Sequence, residues 1–468
     1  MNVRLMLVQP AWSDIHGSFS RIARNQAFVP PIGITMLASI ARDAGFSVAI
    51  LDAEVAGLSD VDVVERILRE KPTVVGLSAT TPIYHKARLI AEGLKRQQPD
   101  IRTIIGGPHI SLLGAEAFFD CFDLAVLGEA ELMFADLLRG LAREDGSVAT
   151  IPGVMYRQGG QIVDNGWGPT PHELDALPFP AWDLLEDRYR TQVPDKGYVR
   201  YATLLYTRGC PFKCSFCAAM LLEGRTLRCR SPQNVVAEMQ MLQERFDIHH
   251  FCFNDSTLTL RKRNVVELAE LLLEKGMKVT WEGWTRANLI DMELLTLMKR
   301  AGMVRISFGI ESGSPRVLKL IRKEVSHDEM RKAFRMAKDV GMEVTCSAMM
   351  GHPGETEADV WETVRLIRSI PEISYSPLSI AVPYPGTELM EMAKEGRHGL
   401  KLVTTDYSKY SRYEGGVMEV NGMSPEYLSR LQKRALIWMH LTPNKFIGII
   451  KRFGFLALLE TILPFRKK

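Results

Sequence analysis

Thr203-Leu-Leu-Tyr206-Thr-Arg-Gly-Cys210-Pro-Phe-Lys-Cys214-Ser-Phe-Cys217 carries a short apolar strand straight into three cysteines. The spacing Cys-x3-Cys-x2-Cys places three thiols in one loop. Iron–sulfur clusters usually take four cysteine thiolates, so a set of three leaves one iron without a protein ligand. An open position of that kind can bind a substrate or a cofactor, by the logic that separates catalytic from structural zinc sites. A zinc knuckle is the competing reading, but it needs a fourth Cys or His close by. The next cysteine is Cys229, beyond an Arg-rich stretch. Gly209 ahead of the first cysteine and Phe216 between the last two suit a loop that wraps a cluster.

Downstream of this loop, residues 199–395 alternate strands with helices. Strands are predicted at Phe251–Asn254, Lys278–Gly283, Arg305–Gly309, Glu343–Met349 and Ser376–Val382. Helices are predicted at Pro232–Arg245, Lys262–Lys275, Met292–Arg300, Asp328–Val340 and Glu357–Arg368. With the strand that feeds the cysteines this makes six β/α units, a partial TIM-type barrel whose chemistry belongs at the carboxyl ends of the strands. Polar and flexible residues collect at those ends: Asn254-Asp255, Arg286, Glu311-Ser312-Gly313, Gly351-His-Pro-Gly354-Glu355 and Pro385-Gly-Thr387.

Upstream, residues 1–150 repeat the alternation. Strands are expected at Arg4–Val8, Val48–Leu51, Val74–Ser78, Thr103–Ile105 and Leu124–Leu127, with helices at Ile32–Ala44, Val61–Glu70 and Lys86–Gln97. This pattern predicts a doubly wound, Rossmann-like parallel sheet, in which ligands sit beyond the carboxyl ends of the strands. Small and polar residues gather there: Ser78-Ala-Thr80-Thr81, Gly106-Gly107-Pro-His109 and Gly128-Glu129. No Gly-x-Gly-x-x-Gly is present, which argues against a dinucleotide. Residues 151–198, with Gly166-Trp-Gly-Pro-Thr-Pro171 and Leu177-Pro-Phe-Pro180-Ala-Trp182, read as an extended linker, because proline at this density continues neither helix nor central strand.

Residues 396–468 depart from the barrel and read as mostly helical, with a helix over Pro425–His440 broken at Thr442-Pro443. From Arg430 onward nine Lys or Arg face one Glu. The apolar run Phe453–Phe465 is too short to span a membrane and is interrupted by Glu460. A basic amphipathic tail over Asn444–Lys468 fits peripheral contact with an anionic membrane and fits a cap on the barrel equally well.

The chain has 468 residues and 7 cysteines, an odd number spread too thinly for a disulfide framework. That usage, and an N-terminus without signal-peptide architecture, point to a reducing, cytoplasmic setting, membrane-associated if the tail takes the first of its two readings. A hydrophobic fraction of 46% and a charged fraction of 24% describe an ordinary globular protein of two or three domains. A net charge of +3 and an aromatic content of 8% give no sign of a nucleic-acid surface.

The cysteine loop resembles that of the radical S-adenosylmethionine (SAM) superfamily, whose pattern is Cys-x3-Cys-x-aromatic-Cys. Gly309-Ile-Glu311-Ser-Gly313 and Gly351-His-Pro-Gly-Glu-Thr356 extend the resemblance through the barrel. The first domain resembles the cobalamin-binding domain that precedes the radical SAM core in one large subgroup. The matching stretches are Pro30-Pro31-Ile-Gly33, Asp43-Ala-Gly-Phe-Ser-Val-Ala-Ile-Leu-Asp52, Gly106-Gly-Pro-His109 and Gly128-Glu-Ala-Glu131. The Leu-Pro-Phe-Pro-Ala-Trp piece of the linker recurs in the same subgroup.

The resemblance implies a 4Fe–4S cluster on Cys210, Cys214 and Cys217, and SAM near Phe216, Asp255, Arg286, Glu311, Ser312 and Gly351. It implies cobalamin near Ser78, Thr80, Thr81, Gly106, Gly107, His109, Gly128 and Glu129. The Asp-x-His-x-x-Gly motif of cobalamin mutases is missing, and Asp14-Ile-His16-Gly17 has the wrong spacing, so cobalt would lack a His ligand. The activity implied is methyl transfer from methylcobalamin to an unactivated carbon through a 5′-deoxyadenosyl radical. The alternatives are an oxidative ring closure like that of the anaerobic porphyrin cyclase, a cobalamin-free radical SAM enzyme, and a non-enzymatic corrinoid carrier. A small-molecule substrate is implied, with the tail pointing faintly to a hydrophobic or lipid-like one, together with an electron donor such as flavodoxin or ferredoxin. For single residues structural roles compete: Asp255 as a helix N-cap, Arg286 as the partner of Asp291.

Overall fold

The computed structural model describes residues 3–20, 29–413 and 416–443, and residues 445, 446 and 448. They form two compact units: one from 3–15, 29–188 and 221–223, the other from 16–20, 189–220 and 224 onward.

The first unit is built on β1 (Arg4–Gln9), α1 (Ile32–Asp43), β2 (Ser47–Asp52), α2 (Asp60–Glu70), β3 (Val74–Ser78), α3 (Tyr84–Gln97), β4 (Arg102–Gly106), β5 (Leu124–Val126) and α4 (Phe134–Arg143). β6 (Val154–Gln158) and β7 (Gln161–Asp164) complete its sheet, in the order β2-β1-β3-β4-β5-β6-β7. β1 to β5 are parallel. Apolar cores lie on both faces, one around Val8, Ile67, Leu77 and Ile90, the other around Leu5, Ile34, Leu137 and Val154. The 2-1-3-4-5 order puts the reversal of winding between β1 and β3, where doubly wound sheets hold their ligands.

The stretch read as a linker from residue 151 differs in the structure. β6 and β7 add an antiparallel hairpin to the sheet, and the chain stays with the first unit as far as Arg188. The turn explains it: Gly159 and Gly160 both take positive φ, 58° and 81°, the backbone that a two-residue hairpin requires. Among so many Gly and Pro residues that turn looked like more linker.

In the second unit β8 (Ala202–Leu204), β9 (His250–Phe253), β10 (Thr280–Thr285), β11 (Met303–Glu311), β12 (Glu343–Met350) and β13 (Ile373–Tyr375) pair in sequence order, all parallel. Helices α5 (Pro232–Phe246), α6 (Lys262–Glu274), α7 (Met292–Arg300), α8 (His327–Asp339) and α9 (Glu357–Arg368) alternate with them. The sixth strand is broken. β13 is followed by β14 (Leu378–Ile380), which also pairs with β12, and Pro377 between them lacks the N–H a continuous strand would need.

Residues 396–468 are less helical than the composition suggested. An antiparallel pair, β15 (Leu400–Leu402) and β16 (Met418–Val420), comes before α10 (Pro425–His440). Most of the basic tail Asn444–Lys468 lies outside the described residues. Its described beginning packs on the barrel: Lys445 is 1% exposed and donates from Nζ to Ile367 O and Ile370 O at 2.8 and 2.9 Å, at the end of α9. Among the described residues no helix is long and apolar enough to cross a membrane.

Candidate functional site

Three loops meet at the carboxyl edge of the first sheet. Gly107 has φ +96°, and a Cβ there would lie 2.9 Å from Ala79 O and 3.1 Å from Ser78 Oγ, so only glycine lets β4's turn close on β3's. Ser111, which sequence reading passed over, joins this turn to the next: its Oγ donates to Gly107 O and accepts from Gly128 N, both at 3.0 Å. Trp167, from the former linker, covers Gly128, whose Cβ would sit 2.9 Å from the indole. Thus Ser78, Gly106, Gly107 and Gly128 come together as backbone and small side chains.

His109 turns inward, 2% exposed. Its Nδ1 lies 3.2 Å from Thr81 Oγ1 and its ring 4.3 Å from that of Tyr84. Burial holds its pKa down at about 4, so the imidazole is neutral. At Gly106 a Cβ would meet only Val126 O, at 3.9 Å, which leaves the turn an open, bare-backbone surface. That surface fits a corrin gripped through backbone and small side chains. Thr80 is exposed and Glu129 half-buried at the same edge.

In the second unit the cysteine loop is braced from beneath. Asp255, 4% exposed, accepts from the Thr207 backbone N–H and from Thr207 Oγ1 at 2.6 Å. It thereby fixes the strand's exit into the loop and does not cap the helix that follows Arg261, which has no side-chain cap. At Gly209 a Cβ would approach Thr226 O to 2.3 Å, so glycine is obligatory there. Cys217 N donates to Cys214 O at 3.1 Å, which closes a tight backbone turn between the last two cysteines. Burial raises the pKa of Cys217 to about 11, and Cys214 and Cys210 lie close enough to push it further the same way. Among the described residues no three His, Cys, Asp or Glu side chains close on a single ion. Cys210 and Cys214 nonetheless lie near enough to Cys217 to act on its charge, so the three thiols share one neighbourhood. Cys229 stands apart, paired across a short ladder with Thr207.

Beside Cys214 lies a buried group of charges. Arg286, 5% exposed, points Nη1 at Cys214 Sγ (3.8 Å), donates from Nη2 to Lys323 O and stacks its guanidinium 3.7 Å from the Phe212 ring centroid. Asp291 instead caps α7 and pairs with Lys262 at 2.6 Å. Lys323 Nζ sits 2.8 Å from Glu311 Oε1 with both side chains buried. Gly309 makes room for that pair, since a Cβ there would lie 2.3 Å from Glu311 Oε1. Glu311 itself is held at φ +65°, a conformation a non-glycine residue adopts only under constraint and one found most at functional sites. Lys323 carried no signal in the sequence: it is one cation among several in Lys319-Leu-Ile-Arg-Lys-Glu324.

Ser312 takes a different part. Fully buried, it accepts from Ser314 N at 3.1 Å and lies 3.4 Å from Thr363 Oγ1. Its hydroxyl shapes the turn after β11. At the end of β12, Gly351 (φ +86°) and His352 donate their backbone N–H groups to Glu355 Oε2. Glu355 is wholly buried, and burial raises its pKa to about 8, with those two N–H groups opposing. His352 is also wholly buried. Neither ring nitrogen has a hydrogen-bond partner among the described residues, although Glu311's backbone carbonyl lies near. Its ring centroid is 5.8 Å from that of Phe216 in the cysteine loop. Arg286, Glu311 and Lys323 therefore lie by the cysteines and His352 by Phe216 of their loop, with Gly351 and Glu355 behind His352, while Asp255 and Ser312 brace backbone elsewhere in these loops. Such a concentration of buried, incompletely satisfied polar groups fits a bound SAM, which brings a carboxylate, an amine, a diol and an adenine.

The radical SAM superfamily profile matches residues 204–367, and a B12-binding domain profile matches residues 22–138. An uncharacterized methyltransferase of Pyrococcus horikoshii is 30% identical over 431 residues, 91% of each chain. The anaerobic magnesium-protoporphyrin IX monomethyl ester cyclase of Rubrivivax gelatinosus is 28% identical, covering 87% of this chain and 72% of the cyclase. Among solved structures, the radical SAM methyltransferase TsrM from Kitasatospora setae, with cobalamin and a 4Fe–4S cluster bound, superposes with a TM-score of 0.74 at 16% identity, covering 98% of this chain and 97% of TsrM. That likeness is one of fold. The order of the two domains, the cysteine loop and the 30% identity across nearly the whole length place the chain in the family of radical SAM enzymes that carry a cobalamin-binding domain ahead of the radical SAM core.

Proposed function

We propose that the protein methylates an unactivated carbon of a small organic substrate. The observation that carries the reading is the grouping of Arg286, Lys323 and Glu311 around Cys214. A corrinoid or iron–sulfur carrier has no use for a second, charged binding site next to its cluster loop. The 30% identical relative described as a methyltransferase supports methyl transfer over other outcomes.

In this reading Cys210, Cys214 and Cys217 hold the cluster, and the turns at Gly106–Gly107 and Gly128 hold the corrin. Bound there, the cluster and SAM supply one-electron cleavage chemistry, and cobalamin supplies a transferable methyl group. The chain's own residues bind and orient. Lys323 offers a cation to a carboxylate, and Glu311 offers an acceptor to an ammonium or a ribose hydroxyl. Arg286 keeps positive charge against Cys214, which favours its thiolate form against the burial that raises its pKa. The electron has to come from a small reduced carrier such as flavodoxin or ferredoxin.

The test is anaerobic reconstitution with hydroxocobalamin, SAM and a reductant. Formation of 5′-deoxyadenosine is expected, with S-adenosylhomocysteine in step once substrate is supplied from a deletion strain's metabolites. Cyclisation is the second reading, favoured by the 28% identical cyclase. 5′-Deoxyadenosine without S-adenosylhomocysteine would select it.

A further inference from the structure

In the second unit a cleft of about 730 Å³ is lined from the short helix Pro315–Leu320, the turn after it, and the helix Glu388–Glu395 with the residues that follow. Arg316, Lys319, Arg322, Arg397 and His398 line it against one carboxylate, Glu388. All five basic residues are exposed. Arg322 pairs with Glu388, Arg316 with Asp359 and Arg397 with Glu395, each at 2.5 Å. Lys319 forms no ion pair among the described residues, so positive charge stays unneutralised in the cleft. Exposed pairs hold only about 0–1 kcal/mol, which leaves their cations available to a more strongly charged partner.

The cleft backs onto the cysteine loop. Ser215, between Cys214 and Cys217, donates its N–H to Ile321 O at 3.2 Å on one wall, and its own O accepts from Leu389 N at 2.9 Å on the other. Arg322 O lies 3.8 Å from Cys214 Sγ. Two successive residues of this turn go to opposite sides: Lys323 is buried against Glu311, while Arg322 is exposed in the cleft. Arg322 and His398 hold left-handed backbones at φ 54° and 53°, which non-glycine residues keep only where their surroundings impose it. Hydrogen bonds tie these segments together: Gly354 N donates to His398 O at 2.7 Å, and Arg316 Nη2 donates to Gly354 O at 2.8 Å. The basic rim is thus a fixed surface, one residue of backbone away from Cys214.

A small anion in so exposed a cleft would stay largely in water, whereas small-molecule sites bury most of their ligand. A protein seated over the cleft excludes that water, and opposite charge steers its approach. We propose that the cleft is the docking surface for a small acidic one-electron carrier protein, a reduced flavodoxin or ferredoxin, whose carboxylates meet Arg316, Lys319 and Arg397. This rests on the reading that Cys210, Cys214 and Cys217 hold the cluster. In the docked pair the carrier is oxidised by one electron and the iron at the cysteine loop is reduced by one, with the backbone of Ser215 and Arg322 between them. No bond forms or breaks and no proton moves.

The experiment uses the full-length reconstituted protein with a flavodoxin and a plant-type ferredoxin as probes, their affinities measured by calorimetry at low and at physiological ionic strength. At least one carrier should bind, and more weakly as salt rises. Lys319→Glu should lower its affinity by about tenfold, and Lys319→Glu combined with Arg397→Glu by more. Lys319→Gln, which only removes a charge, should weaken it severalfold and serves if the double variant does not fold. Lys275→Glu, an exposed position after α6 that does not line the cleft, should change nothing. Iron content and dithionite-driven SAM cleavage should stay unchanged in every variant, because a chemical reductant needs no docking surface, while carrier-driven cleavage falls with carrier affinity. The proposal is overturned if neither carrier binds, if binding ignores salt, or if the Lys319 variants bind as the wild type does. It is also overturned if dithionite-driven cleavage falls in parallel, because these residues then serve the reaction site. Pyrophosphate that binds the wild type but not Lys319→Glu, with no carrier bound, would make the cleft a small-anion site and overturn it too. Absence of 5′-deoxyadenosine from the wild type with dithionite would sink the proposed function, and the carrier affinities would still decide the cleft.

Discussion

At the amino ends of the barrel strands, Arg305 is 2% exposed and every nitrogen has a partner. Nε meets Glu343 at 2.6 Å, Nη1 meets Glu282, and Nη2 donates to Gln192 O at 2.8 Å. At the carboxyl ends of the same strands, Arg286 Nε, both ring nitrogens of His352 and Glu355 Oε1 are buried with no hydrogen-bond partner among the described residues, and Glu311 is held in a left-handed backbone. Polar groups are buried at both ends, but only one end closes its hydrogen bonds. Away from the carboxyl ends, His250 Nε2 and Thr203 Oγ1 on the first two strands are also unmet among the described residues. Since leaving a buried polar group unmet costs about 1–3 kcal/mol, folding alone does not account for the upper end. On the function proposed above, its unmet groups await a ligand, whereas the closed lower end serves stability.

Losses at the cysteines should be the largest. Reconstituted protein is expected to hold about four irons, and Cys210→Ala, Cys214→Ala or Cys217→Ala should each abolish SAM cleavage. Cys346→Ala, at a fully buried strand position, should leave iron content and cleavage intact. A single cluster-loop variant with full iron and full activity would remove that cysteine from the ligand set.

Next in size is the lower end. Arg305→Ala strands two carboxylates that it now neutralises, and breaking a buried charge network of this kind costs about 3–5 kcal/mol. Denaturant unfolding should show that loss while the SAM affinity of the folded fraction stays unchanged. The upper end should behave in reverse. Lys323→Met and Glu311→Gln should lower SAM affinity by about tenfold to a hundredfold with iron retained. Were both to leave SAM affinity untouched, the pair would be one more structural bridge like Arg305's, and the contrast between the ends would collapse.

The first unit offers a milder version of the same contrast within two adjacent residues. Gly106→Leu adds bulk over an open surface and should block corrinoid retention, read from the absorption spectrum of the purified protein, without a change in melting temperature. Gly107→Ala meets Ala79's backbone and an unfavourable φ, so it should lower the melting temperature first.

Much of this was legible in the sequence because the periodicity was unambiguous. Val74–Ser78, Met292–Arg300, Glu357–Arg368 and Pro425–His440 fall where their patterns place them. The hairpin over 154–164 was hidden by its glycine turn, and the sixth strand by Pro377. At the site, the motifs marked loops but not which side chain of a loop would act. Asp255 and Ser312 turned out to brace backbone, a role that depends on neighbours distant in sequence. Lys323 has ordinary local surroundings and gains its meaning only from burial beside the cysteine loop, whereas the run around His352 marked the loop but not its ring.

The smallest effect is a slope, and it belongs to Glu355. In the unfolded chain this carboxyl ionises near its usual 4.5; in the folded protein burial holds it protonated up to about 8. Between those two values the folded state keeps a proton that the unfolded state has lost. Stability therefore declines as pH rises through this window, by at most about 1.4 kcal/mol per pH unit. Below pH 4.5 the contribution is fully present, and above about 8 it is gone. Glu355→Gln keeps an oxygen to accept from Gly351 and His352 but cannot titrate. Its melting temperature should accordingly vary less between pH 5 and 8 than that of the wild type, with the two curves farthest apart at the alkaline end. Parallel curves would mean that Glu355 is ionised when folded, satisfied by its two backbone N–H groups, and that this part of the upper end is as fully closed as Arg305's.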